Sequence, residues 1–96
     1  MLEIEHGSAG IVVISGRLDA ARSAAVQSFL DGIDGPVTLD CSGLEYISSA
    51  GLGVLVKTHK RLLASNGHLK LAGVNQYVLD LLKFSGFDRV FQIDAE

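Results

Sequence analysis

Polar and apolar residues alternate from the first positions of the chain. Leu2, Ile4 and His6 alternate with Glu3 and Glu5, and this period of two predicts a strand with one buried face. Ile11 to Ser15, IVVIS, is a second and more fully apolar strand, with Gly7 to Gly10 turning between the two. The period then changes. Asp19 offers an N-cap to a helix whose apolar positions Val26, Phe29, Leu30 and Ile33 follow helical spacing, and DGIDGP, which contains the only proline, ends it. Val37 to Cys41 predicts a third strand, followed by SGLEYISS as a loop. Leu52, Leu55, Val56, Leu62 and Leu63 share one face of a second helix, Lys57, Lys60 and Arg61 another, and Asn66 and Gly67 stop it. LKLAGV, residues 69–74, is a fourth strand. Asn75 caps a third helix carrying Val78, Leu81 and Leu82, Gly86 closes it, and VFQI, residues 90–93, predicts the last strand.

The order strand, strand, helix, strand, helix, strand, helix, strand implies an α/β fold with a small mixed, mainly parallel sheet, because parallel neighbours need crossovers that helices supply. The first pair is free to be antiparallel. Three helices are expected to cover one face, leaving the other to be partly shielded by the first strands or by a partner. At 96 residues and 48% hydrophobic content the chain suits a single domain over 1–96 with one core. A net charge of -3 argues against general affinity for nucleic acid or anionic lipid. Cys41 is the only cysteine, which rules out an internal disulfide and a cysteine-based zinc site and favours a reduced, cytoplasmic setting. The acidic start MLEIEHGSAG is unlike a signal peptide, and no apolar run suits insertion into a membrane.

The sequence has no phosphate-binding G-x-x-x-x-G-K-[ST] loop, and GLGVLV lacks the third glycine of a dinucleotide fingerprint. His6, His59 and His68 are scattered without metal-ligand spacing and read as surface or strand-edge residues, so neither a metal nor a cofactor is expected. Attention falls instead on YISSAGLGVLV, residues 46–56. Ser48 and Ser49 suit the capping of a helix that follows a strand. Capping does not explain Gly51 and Gly53, since each glycine inside a helix costs about 0.8 to 1 kcal/mol relative to alanine. Glycines in the first turn either let the backbone pack closely on the sheet or leave a flat, accessible surface around the serine. A phosphate added to a serine there would lie against the positive end of the helix.

VTLDCSGLEYISSAGLGVLVKTHKRL resembles the signature region of STAS domains, the family of bacterial anti-sigma factor antagonists and of the cytoplasmic domains of sulfate transporters. GRLDA, residues 16–20, is similar to the family's G-E-L-D turn, and LAGVNQYVLDLLKFSGFDRVFQI to its last strand-helix-strand region with its SG ending. Aligned on Gly51, the resemblance places the family's phosphorylated serine on Ser49, with Ser48 where an aspartate is usual and Ala50 where a serine is usual. Arg17 replaces the glutamate of the turn, and Asp19 matches its aspartate, implying a role in the partner contact beside that of N-cap. Asp40 and Ser42 match a D-x-S turn and are expected only to shape it.

The resemblance implies a bacterial signalling protein, not an enzyme. It would bind an anti-sigma factor that is also its serine kinase through Asp19, Ser48, Ala50, Gly51 and Gly53, and so release a sigma factor for transcription. Phosphorylation of Ser49 would end the binding, and a PP2C-type phosphatase would restore it. The protein is expected to be a monomer or a weak dimer. The same fold also permits an accessory subunit of a lipid-transport ABC ATPase or another scaffold role. A third reading makes Ser49 a nucleophile with a histidine as base, and it rests only on a serine at a helix N-terminus.

Overall fold

The computed structural model describes residues 1–95. Five strands form one sheet in the order in which they occur along the chain: β1 (Leu2–His6), β2 (Ile11–Leu18), β3 (Val37–Ile47), β4 (Leu69–Val74) and β5 (Gln92–Ala95). β1 is antiparallel to β2, and every later neighbour is parallel. The crossovers between parallel strands carry α1 (Ala20–Asp31), α2 (Ser49–Ala64) and α3 (Gln76–Ser85), the last followed by a 3-10 turn at Phe87–Arg89.

Burial alternates along the central strands as the pleat requires. Val12, Ile14, Leu39, Cys41, Leu69 and Leu71 are buried, whereas Val13, Thr38, Asp40 and Lys70, which point the other way, are partly exposed. The core therefore lies on one side of the sheet, beneath the helices. Thiol ionisation at Cys41 is suppressed by this burial, with the nearby Asp40 charge adding to it, so its pKa is raised to about 12 and the sulfur is inert. β1 continues the sheet at its edge beside β2 and does not fold over the open face, so the expected shielding by the first strands is absent.

Five details depart from the sequence reading. β3 does not end at Cys41: it passes through Ser42 and Gly43 to Ile47, because Gly43 pairs with Ser15 across β2 and a Cβ at Gly43 would approach Ser15 Cβ to 2.8 Å. β5 begins two residues later than VFQI suggests, since Phe87–Arg89 form the 3-10 turn. Leu63 is 53% exposed, because the buried stripe of α2 runs instead through Gly51, Val54, Leu55, Thr58, His59 and Leu62. Arg61 is not part of a solvated basic face: its Nη2 donates to the carbonyls of Leu30 at 2.9 Å and Ile33 at 2.7 Å, satisfying the end of α1, and Nη1 meets Asp34 at 3.5 Å.

His59 is likewise a core residue and not a surface one. Its Nδ1 accepts the N–H of Leu69 at 3.1 Å, and its ring packs 5.2 Å from that of Phe91. Burial lowers its pKa below the ordinary 6.5, against a hydrogen bond with the Val90 backbone that raises it, and His68 lowers it further. The unfolded chain therefore takes up a proton at this position at a pH where the folded chain resists it. Stability is full above about pH 6.5 and falls as the pH drops from there through the lower folded value. A thermal-melting series between pH 7.5 and 5 should show a fall in midpoint that is smaller in His59→Gln, and equal slopes would refute the assignment.

Candidate functional site

The C-terminal ends of β2, β3 and β4 each lead directly into a helix through a capping side chain. Asp19 accepts from Arg22 N–H at 3.0 Å, Ser48 from Gly51 N–H at 3.1 Å, and Asn75 from Val78 N–H at 2.8 Å. The carboxyl ends of parallel strands are where open α/β sheets commonly place their ligands. Leu18 and Ile47 are the last paired residues of β2 and β3, so the next residues, Asp19 and Ser48, emerge side by side. Asn75 Nδ2 also donates to the Leu44 carbonyl at 2.9 Å, fastening the start of α3 to β3.

The two serines are not equivalent. Ser48 is the cap: its N–H is bonded to the Leu18 carbonyl at 2.9 Å and its hydroxyl is engaged with Gly51. Ser49 is the first residue of α2, is exposed, and its hydroxyl has no hydrogen-bond partner among the described residues. Because Ser48 and Gly51 N–H groups are occupied, the free donors of this first turn are those of Ser49 and Ala50. Ser48→Ala should lower stability by about 1 kcal/mol through loss of the cap, read by denaturant unfolding, while leaving the Ser49 hydroxyl exposed.

The glycines also divide. Gly51 is buried against the end of β2, where an added Cβ would lie 2.6 Å from Leu18 Cγ and 2.9 Å from the Leu18 carbonyl oxygen. Gly53 is exposed, and an added Cβ would meet nothing within 4 Å. The two functions expected of small residues here, close packing and a bare surface, are thus carried by different glycines. Ser49, Ala50 and Gly53 form the accessible part of the shoulder, with Ser48 half-buried and Gly51 beneath it.

Around this shoulder, Arg17 lies over the Tyr46 ring with 4.3 Å between guanidinium carbon and ring centroid, and Tyr46 stacks on Tyr77 of α3 at 6.2 Å. Arg17 is therefore held on an aromatic ladder. Asp40 Oδ1 accepts from the N–H of Ser42 at 3.0 Å and from its hydroxyl at 2.7 Å, and these bonds, backbone first, lower the carboxyl pKa. The pair shapes the chain locally, but within β3 and not in the turn that the sequence predicts. A groove of about 450 Å³ opens beside Ser49 between α2 and the end of α3, lined by Leu52, Gly53, Val56 and Phe87 with Lys57 and Lys60 at its rim. The sequence reading missed this groove and a neighbouring hollow lined by Tyr77, Leu81 and Phe84, which recur at helical spacing on a face of α3 distinct from the buried Val78 and Leu82.

His59 is engaged with Leu69 and Phe91, and no described hydrogen bond joins any histidine to Ser49. Among the described residues there is no cluster of three or more potential metal ligands, and no helix is long and apolar enough to cross a membrane.

Comparison with known proteins matches residues 3–96 to the family model of the STAS domain. BtrV of Bordetella bronchiseptica, a candidate anti-sigma factor antagonist, is 31% identical over 87 residues, covering 86% of this chain and 75% of the relative. The anti-sigma F factor antagonist of Paenibacillus polymyxa is 29% identical over 98 residues, covering 96% and 84%. Among solved structures, the Bacillus cell fate determinant SpoIIAA in its phosphorylated form superposes with a TM-score of 0.71 at 19% identity, covering all of this chain and 93% of the other.

Proposed function

Since this chain belongs to the STAS domain family, we propose that it is an anti-sigma factor antagonist whose binding is switched by phosphorylation of Ser49. The observation that carries this reading is the asymmetry of the serine pair: Ser48 is committed to the helix cap, and Ser49 is exposed with an unengaged hydroxyl. In the transfer, Ser49 Oγ attacks the γ-phosphorus of ATP held by the partner kinase, its proton passes to a base of that kinase, and ADP leaves. Hydrolysis by a phosphatase of the PP2C type reverses the modification.

In the unphosphorylated state the bare shoulder of Ser49, Ala50 and Gly53 meets the anti-sigma factor in close contact, with Asp19 and Ser48 at its border. A phosphate there adds close to two negative charges beside the free N–H groups of Ser49 and Ala50, which stabilise the modified form at the helix start. The same charges would have to be desolvated in the contact, and this opposes binding. The protein thus acts in the cytoplasm by sequestering the anti-sigma factor and freeing a sigma factor.

Intact-mass and phosphopeptide analysis of the protein from growing and starved host cells tests this. A single phosphate on Ser49 whose occupancy changes between the two conditions supports the reading. An unmodified Ser49 in every condition, together with a stable complex that contains a membrane ATPase, would instead mark an accessory subunit.

A further inference from the structure

Tyr77, Leu81 and Phe84 fall at i, i+4 and i+7 on one face of α3, and the two aromatic ends of that face are open, Tyr77 being 50% and Phe84 92% exposed, while Leu81 between them rests partly buried against the core. A phenylalanine this open is unusual on a small soluble surface, and it is not isolated. Leu81 and Phe84 form a hollow with Tyr77, and a second hollow shared with Leu52 and both serines. The second continues through Ser49 and Leu52 into the groove lined by Val56 and Phe87. The result is one apolar track from Tyr77 past Ser49 to the middle of α2. Lys57 and Lys60 border its far end, both exposed and without an ion pair among the described residues.

We propose that this track is a second docking element for the anti-sigma kinase, occupied by an amphipathic helix of that partner whose apolar anchors cover Phe84 and Leu81 and whose acidic residues meet Lys57 and Lys60. The proposal rests on the functional reading above and extends it. Two features identify the occupant. The track is continuous with the Ser49 shoulder, so a protein seated on the serine already abuts Phe84. The exposed face is the two-turn apolar stripe that a helix laid in a groove pairs with, and the lysines at its rim select acidic flanks. Aromatic residues at the centre of such contacts carry most of the binding free energy. A phosphate on Ser49 would stand on the floor of the same track, so modification would disturb both contacts at once.

The test replaces Phe84, and separately Leu52, by p-benzoylphenylalanine in the full chain, irradiates host cells, and identifies the cross-linked peptide by mass spectrometry. The proposal expects position 84 to capture a helical, acid-flanked segment of a kinase of the anti-sigma type, with capture lost when Ser49 is phosphorylated. With that kinase purified, Phe84→Ala should weaken binding about tenfold or more, and Lys57→Glu with Lys60→Glu should weaken it further and reverse its salt dependence. The melting temperature of Phe84→Ala should stay that of the parent, since the ring touches solvent and not the core.

Capture of the kinase from position 52 but not from 84, with Phe84→Ala binding within twofold of the parent, overturns the second docking element and leaves the functional reading intact. A cross-link from 84 to a second copy of this chain, or to lipid, also overturns it. Failure to capture any kinase from either position removes both readings.

Discussion

Gly51→Ala is expected to lower the unfolding free energy by about 2 kcal/mol, in the range of overpacking in a close-packed core, whereas Gly53→Ala should raise it by about 0.8 to 1 kcal/mol through helix propensity alone. The contrast comes from what lies beneath each residue. At Gly51 the new methyl meets Leu18 Cγ at 2.6 Å, which the side chain can partly avoid, and the Leu18 carbonyl oxygen at 2.9 Å, which it cannot. That carbonyl accepts the N–H of Ser48, so moving it away also loosens the cap of α2. At Gly53 no atom lies within 4 Å. Thermal unfolding of the two variants checks this directly: for a domain of this size the midpoints should separate by more than 10 °C, since each kcal/mol moves the midpoint by about 4–8 °C. Equal midpoints would mean that the helix is not seated on β2 as described. Gly53→Ala has a second use, because a stabilised protein that binds its partner less well would identify the bare surface itself as part of the contact.

Ser49→Asp should weaken binding to the anti-sigma partner about 100-fold, and Ser49→Ala should leave it within about threefold, as measured by calorimetry with the purified pair; burying an unpaired charge in a contact costs 2–5 kcal/mol or more. The expectation follows from two features of the serine. Its hydroxyl makes no described hydrogen bond that alanine would break, so removing it leaves the fold and cap in place. Its side chain stands on an apolar floor formed with Leu52 and Leu81, where a carboxylate has few donors beyond the N–H groups of its own helix start. The variants should melt within about 1 °C of the parent, or higher for Ser49→Asp, because an anion in the first turn is favoured by the helix dipole. If Ser49→Asp binds like the parent, charge at this position is not the switch.

Most of the fold was legible because the apolar periods agree with the caps. Asp19, Ser48 and Asn75 each stand one residue before a helix that starts where its period begins, and the helix crossovers required parallel pairing. What was not legible depended on partners distant in the chain. Ser42 and Gly43 have loop chemistry, yet they continue β3 because small residues at Ser15 and Gly43 let two parallel strands approach. His59 and Arg61 are polar residues of types usually found at the surface. One is buried by its bond to Leu69 and the other drawn in by the carbonyls at the end of α1, and neither partner lies within their own helix. At the candidate site, the resemblance already sets Ser49 apart from Ser48 as the expected phosphoacceptor, but the geometry assigns the cap to Ser48 and separates the packed Gly51 from the bare Gly53. The aromatic track on α3 escaped notice because Leu81 fits a core pattern with Val78 and Leu82 as well as it fits a surface one with Tyr77 and Phe84.

The fastening of the α2 shoulder to Leu18, by the Ser48 N–H above and Gly51 below, has a consequence in time. A patch held at both points is a fixed support, so the state of the proposed switch would be written in the phosphate ester and not in a change of shape. Under the proposed switch, the record is a covalent bond on a fixed support, and its lifetime is set by the phosphatase that removes it. A cell carrying this protein would retain the memory of a past signal for as long as that enzyme stays idle.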